Sequence, residues 1–542
     1  MAYMTPRRLT FHTIPLPQAD TRDITGSVAP RVFLSVFNDA PTAAWLDSSG
    51  NGGALSVLAN NAGPLARTWM PQVESSNSFF AQLRSSFDEP VEIPRDWPCN
   101  FALGWVGALG YGVEDIARSR EDHPDAALLF ADRAVVIDHA HAVAYAMTML
   151  PSAGDPEDSK EAEAAPGACD AHAQQLDWLG TTVAEVNRIA VEVVSEMNDA
   201  GPETIPGAIP GGTPIRDKVP AESVTIERAA TFHFDQPKRQ YLASVQRCLD
   251  YIAAGDSYEV CLTNTARGPA LRELVNPRLT QQPGEHPALH PGEQPGANSP
   301  HAPSPELLAY LRLRKVSPVP YGAFLRFDHP GQAPLHILSA SPERFLKVSP
   351  EGEVSAKPIK GTRPRGEDEA ADARGRQELM SNPKDRAENL MIVDLLRNDL
   401  GRVCIPGSVE VPMIFSVESF SHVHQLVSTI TGRLRAGFGA VDAIEASYPG
   451  GSMTGAPKIR TMQIIEELEP QPRGLYSGAI GWISPNSAAE LNITIRTLID
   501  DGSECSFGVG GAIVADSDPL AEYQETLVKA AALLDALGGQ LG

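Results

Sequence analysis

Between residues 32 and about 150, short apolar runs alternate with turn signals: RVFLSVFN, AWLDSSGNGG and AVVIDHAHAVAYAM. This pattern predicts mostly antiparallel strands, with Asn51-Gly52-Gly53 as a tight hairpin turn. A helical period predicts one helix over roughly 174–200 and another within 236–255, QPKRQYLASVQRCLDYIAAG. Asp256-Ser257 should end the latter, and YEVCLTNTARG should continue as a strand. The remainder, about 320–540, is dense in strand patterns punctuated by glycine.

Residues 152–173, rich in Ala, Glu, Asp and Gly, read as a flexible surface loop. GPETIPGAIPGGTPIRDKVPAES reads as a linker. QQPGEHPALHPGEQPGANSPHAPSPE, low in aliphatics, reads as a disordered insertion near 270–305. The expected organisation is a ragged lead-in over 1–30, an N-terminal portion over 31–222 and a catalytic portion over 223–542.

A chain of 542 residues exceeds one ordinary compact domain but suits a large two-lobed enzyme. Hydrophobic residues make up 42% and charged residues 21%, a globular composition. The net charge of -24 argues against nucleic-acid binding and requires a local basic pocket or a cation for any anionic substrate. The six cysteines are scattered without a CxxC pair, which points to a reducing cytoplasm and away from disulfides or zinc. No apolar run approaches the ~20 residues of a membrane helix, and MAYMTPRRLTFHTIPLP lacks the apolar core of a secretory signal.

Four stretches carry candidate chemistry. In KPIKGTRPRG, Lys360 sits between Ile359 and Gly361, where backbone should be tight. An arbitrary lysine is a solvated one, but the like charges of Lys357, Arg363 and Arg365, together with desolvation, should disfavour its charged form and leave a nucleophilic amine. KDRAENLMIVDLLRNDLGR and LAEYQETLVKAAALLDAL read as amphipathic helices with carboxylate pairs three apart, Asp385/Glu388 and Glu522/Glu525. Either face alone is an ordinary solvated one; together they could converge on magnesium. GGSMTGAPK precedes a helix, IRTMQIIEEL, whose start favours an anion, although the order is not that of a Walker loop. Finally, Arg496 in LNITIRTL offers a fork for a carboxylate, and Gly510-Gly511 interrupt an apolar strand with backbone N–H groups. The set suits a small polyanion held through a divalent cation.

In order, SASPERF, KPIKGTRPRG, DRAENLMIVDLLRNDLGR, GGSMTGAPKIR, RGLYSGAIGW, LNITIRT, FGVGGAIV and AEYQETLVKA resemble the chorismate-utilising enzymes. The likeness is to the synthase components of anthranilate synthase and aminodeoxychorismate synthase. It is strong over about 235–540 outside the insertion and weaker over about 30–150, where AAWLDSS is similar to the aminodeoxychorismate type. The resemblance implies an α+β fold of two large facing antiparallel sheets with outer helices and the site in the cleft.

The family divides at the first of these stretches: anthranilate synthases carry alanine in PIAGT, aminodeoxychorismate synthases lysine, as in PIKGT here. The resemblance implies that Lys360 attacks C2 of chorismate as the C4 hydroxyl leaves, and that ammonia then attacks C4 and expels the lysine. The product would be 4-amino-4-deoxychorismate, precursor of 4-aminobenzoate and folate. Anthranilate synthase is the alternative enzyme, and a non-catalytic chorismate- or tryptophan-binding regulatory relative the alternative class.

The other roles carried over are Glu343 as general acid and Glu388, Glu522 and Glu525 as Mg²⁺ ligands. Arg496 and Tyr476 would hold one substrate carboxylate. Gly510, Gly511 and Lys529 would serve the other, and Gly361, Thr362 and Thr454 would line the pocket. Many relatives place a histidine before LVS; here HVHQLVS has Gln425 there and His424 one step earlier, on the opposite strand face. The resemblance also implies ammonia from a separate glutaminase subunit, since no cysteine sits in a glycine-rich elbow. Trp45-Leu46-Asp47-Ser48 replaces the Leu-Leu-Glu-Ser regulatory segment, so feedback inhibition is not expected.

Overall fold

A computed structural model of the chain describes residues 7–17, 21–48, 55–72, 78–114, 123–151, 168–199, 230–275, 303–420 and 423–542. The expected hairpin turn at Asn51-Gly52-Gly53, the linker and most of the surface loop and proline-rich insertion lie outside them.

Two sheets dominate the described residues, one of fourteen strands and one of ten. Pairing is antiparallel, except where Arg7–Pro15 meets Val91–Glu92 and Ala230–Phe234 meets Gly539–Leu541. The alternation along the strands explains how the sheets stack. In the larger sheet, Ala44, Val57, Ala134, Val136, Ala323 and Leu325 join a core shared with Trp105, Val106, Leu129 and Ile480 of the smaller sheet. Their neighbours Trp45, Leu58, Val135, Ile137 and Phe324 point the other way. They pack against Val28, Phe33, Leu179, Val186, Leu307 and Leu533 of the outer helices. The larger sheet is therefore buried on both faces, with the second sheet inside and helices outside.

Both sheets mix early and late strands. Thr42–Asp47 pairs with Tyr321–Phe327, and Gly104–Leu109 with Ala479–Ile483. The expected division into 31–222 and 223–542 thus does not divide either sheet. The lead-in over 1–30 is also corrected: Arg7–Pro15 pairs along its whole length with Val143–Pro151, and Thr21–Val32 is helical.

RVFLSVFN is corrected too. It closes the helix Thr21–Val32 and runs through a π-helical turn, Phe33–Phe37. Phe33 and Phe37, four apart, are both buried, and Phe33 stacks on Trp45 at 5.5 Å. The expected helices appear as Ala168–Asp199 and Lys238–Ala253, followed by the strand Glu259–Pro269.

Two helices later prove to carry carboxylates. Pro383–Gly401 starts at Asn382, whose side chain accepts from the Asp385 amide, with Pro383 in the first turn. Pro519–Leu537 starts likewise at Asp518 and Pro519, and ends at Gly538 in the left-handed conformation.

Candidate active site

Two strands leave one sheet for the other at adjacent corners. Leu335–Ser341 lies in the larger sheet and Arg344–Val348 in the smaller, so Glu343 falls on the bend. Ala489–Ile493 and Thr497–Asp500 make the reverse switch, with Arg496 on theirs at φ +49°. The corners are stitched together: the Ile493 amide donates to the Glu343 carbonyl and the Ala340 amide to the Arg496 carbonyl, each at 3.0 Å. Such corners free side chains from ladder alternation and aim them into the gap between the sheets.

The Glu343 carboxylate is buried there. Burial raises its pKa to about 6, opposed by Ser452, the Lys360 charge and the Ile359 amide nearby. Arg496 is half-buried, close enough to feel the Glu343 charge.

Lys360 reaches the same place through a bulge. The strand Ile359–Pro364 pairs Ile359 with Val427 and Thr362 with Gln425, so three steps face two. Gly361 takes φ +83°, a conformation that favours glycine. A Cβ there would lie 2.8 Å from Asp385 Cγ and 2.9 Å from Leu379 Cδ1. The close approach to Gly361 therefore comes from the helices packed on it.

The expected like-charge reason for an uncharged Lys360 is overturned, and the expected desolvation is outweighed. Its basic neighbours are turned away and paired: Lys357 with Glu418 at 2.6 Å, Arg363 with Glu378 and Asp385, and Arg365 with Asp372. Lys360 Nζ instead lies 2.6 Å from Glu259 Oε1, with side-chain exposures of 10% and 0%. Burial opposes the ammonium, but the Glu259 carboxylate, then Glu388, outweighs it and holds the pKa above the ordinary lysine range.

Three of the expected metal-ligating carboxylates come from the two capped helices. Lys384 Nζ lies 3.2 Å from Glu522 Oε1 and 3.8 Å from Glu388 Oε1, and Lys529 lies 2.7 Å from Glu525. A Cβ on Gly511 would stand 3.0 Å from Glu522 Oε2 and 3.9 Å from Glu525 Oε1, so both carboxylates lie over that glycine. Burial raises the Glu388 pKa to about 7, with Glu259 and Glu525 adding to the effect and Lys360 and Lys384 opposing it. Lys529 also donates to the Gly510 carbonyl at 2.7 Å. A separate buried trio, Glu306, His336 and Asp500, brings ligand atoms within 4.8 Å of one another. Its histidine already bonds Asp500 and Asp328 through both ring nitrogens.

Gly510 and Gly511 pair with Thr263 and Leu262 on one side, while the strand on the other side pairs only as far as Phe507. One of two consecutive amides in such an antiparallel edge points to the unpaired side. Tyr476 is buried against Gly508, where a Cβ would meet its ring at 2.2 Å. Ser477 beside it donates to the Thr494 carbonyl near Arg496. Thr454 is buried, with its hydroxyl donating to the Gly451 carbonyl at 3.1 Å inside its own turn. Thr362 is exposed, because the bulge turns it outward. Of the expected pocket-lining residues, Gly361, Thr362 and Thr454 thus serve backbone packing, an exposed strand position and a turn.

His424 faces away from the bulge, bonding Ser419 at 2.7 Å and Asp372 at 3.0 Å, while Gln425 is buried opposite Thr362. Asp47 is engaged by Arg314 at 2.6 Å and by Tyr310.

Glu259, Ser452 and Lys384 were not anticipated. For Glu259 a signal existed: a lone carboxylate opens the uncharged run VCLTNTA, and such a charge inside a strand is buried only when paired.

Comparison with known proteins bears on this geometry. Residues 44–276 and 297–535 match a family described as chorismate binding enzyme. The chain is 40% identical over 98% of its length to an aminodeoxychorismate synthase of Streptomyces griseus, of which it spans 65%. It is 50% identical over 43% of its length to aminodeoxychorismate synthase component 1 of Klebsiella aerogenes, of which that match spans 50%. In fold it superimposes on anthranilate synthase component I from Streptococcus pneumoniae with TM-score 0.60 and 24% identity, covering 89% of this chain and 92% of that one. The match spans the strands that bring Glu343, Lys360 and Arg496 together, and the chain belongs to the chorismate binding enzyme family.

Proposed function

We propose that the chain is the synthase component of an aminodeoxychorismate synthase, converting chorismate and ammonia to 4-amino-4-deoxychorismate. The observation that carries this reading is Lys360, brought by the bulge close enough for its charge to act on the buried Glu343 carboxyl. A nucleophile and a carboxyl poised near pH 6 are the pair that a displacement of hydroxyl requires. The names of the Streptomyces and Klebsiella relatives support the same reading.

Glu388, Glu522 and Glu525 are proposed to hold Mg²⁺. Two lysine ammonium groups now neutralise converging carboxylates whose oxygens suit that ion. The ion would neutralise a substrate carboxylate, while Arg496, Tyr476 and the Gly510–Gly511 edge orient the rest. Lys360 attacks C2, and Glu343 protonates the hydroxyl leaving C4. Ammonia, proposed to come from a glutaminase subunit, then attacks C4 and releases Lys360. Among the described residues no helix is long and apolar enough to cross a membrane.

The test is mass analysis after incubation with chorismate, Mg²⁺ and ammonium. A product with nitrogen added and the enolpyruvyl group retained supports the reading. Anthranilate and free pyruvate would assign the alternative reaction, and chorismate binding without turnover a non-catalytic relative.

A further inference from the structure

The ion pair that overturns the neutral lysine raises a question of its own: where does the Lys360 proton go before the amine attacks? Glu259 Oε1 lies 2.6 Å from Nζ and is wholly shielded from solvent. Its other oxygen, Oε2, is buried without a hydrogen-bond partner. A merely structural buried pair fills both carboxylate oxygens, because an unfilled one costs stability. This carboxylate instead keeps one acceptor free inside the site. Its backbone is held rigidly, with Glu259 opposite Ala456 and the Ser257 hydroxyl donating to its carbonyl at 2.9 Å.

Building on the proposed covalent role of Lys360, we infer that Glu259 is the general base that takes the lysine proton and later returns it. Proton transfer to Glu259 leaves a neutral amine. Its lone pair forms the bond to C2, the ring double bond shifts, the C4–O bond breaks, and Glu343 gives the leaving hydroxyl a proton, releasing water. The adduct is a secondary ammonium. When the ammonia lone pair forms the C4–N bond, the C2–N bond breaks and lysine departs as a neutral amine. Glu259 then hands its proton back, and Glu343 is reprotonated from solvent. The other charged or titratable groups acting on the pair are Glu388 on the helix Pro383–Gly401, Cys261 two residues along the strand, Glu343 at the corner and Glu525 on the helix Pro519–Leu537.

The experiment measures the Lys360 adduct by peptide mass spectrometry after mixing enzyme, Mg²⁺ and chorismate without ammonium, over a pH series. Chorismate binding is followed separately by calorimetry. In Glu259→Gln, adduct formation at neutral pH should slow by ~10²-fold or more, the usual scale of general-base loss. It should then recover by roughly tenfold per pH unit as solvent takes the proton instead. Glu259→Asp should be intermediate, and it carries the comparison if Glu259→Gln no longer binds chorismate. A wild-type rate in these variants, or a loss equal at every pH, overturns the inference for Glu259. A wild-type protein that forms no adduct at all contradicts the covalent reading of Lys360 instead.

Discussion

The Ile493 amide donates to the Glu343 carbonyl at 3.0 Å, binding the corner where one strand leaves the larger sheet to the corner where another returns. This contact brings the buried Glu343 and the half-buried Arg496 near each other in the gap between the sheets.

Glu343 should act as the proton donor. Glu343→Gln is expected to lower kcat by ~10²–10⁴-fold with little change in KM for chorismate, measured by steady-state kinetics. The acid must be protonated, so kcat/KM should fall as pH rises through about 6, and the variant should lose that limb.

The Glu388 carboxyl, raised to about 7, binds its proton more readily in the folded chain than in the unfolded one. Its contribution to stability therefore falls as pH rises from the ordinary carboxylate range to about 7, because burial of the charge outweighs the attraction of Lys360 and Lys384. With Glu388 in its proposed role, Mg²⁺ would compete with that proton. Thermal melts should show a larger stabilisation by Mg²⁺ above pH 7 than below pH 6, and Glu388→Gln should remove the difference.

Gly361 is conformationally committed. Gly361→Ala should destabilise the fold by about 1–3 kcal/mol, since it forces a side chain into left-handed backbone against Asp385. Denaturant titration measures the loss.

Lys458 in the GAPK segment is a strut. Its Nζ lies 2.6 Å from Asp399 Oδ2 and 3.0 Å from the Ser447 carbonyl, tying the glycine loop to the helix Pro383–Gly401. Lys458→Met should cost about 3–5 kcal/mol by leaving a buried carboxylate unpaired. Adding Asp399→Leu should recover much of it, a result read from paired denaturation curves.

Much of this was legible in the sequence. The helices carrying Glu388 and Glu525 declared themselves by their apolar period, and the ordered motifs identified the family. What was not legible depended on contacts distant in the chain. RVFLSVFN alternates like a strand, yet Phe33 and Phe37 are buried together as a helical pair against Trp45 and Trp178. The charge state of Lys360 was inferred from neighbours in sequence, whereas Glu259, about a hundred residues earlier, decides it. Local charge counts fail where a bulge re-aims one side chain and its neighbours find partners of their own.

The most direct test of the central claim uses isotopically labelled ammonium with chorismate and Mg²⁺, locating the label in the product by NMR. Label on C4 with the enolpyruvyl group retained in the wild type, and loss of that product in Lys360→Ala, are the predicted results. Label on C2 with pyruvate released, or an unchanged product and rate in Lys360→Ala, would contradict the account.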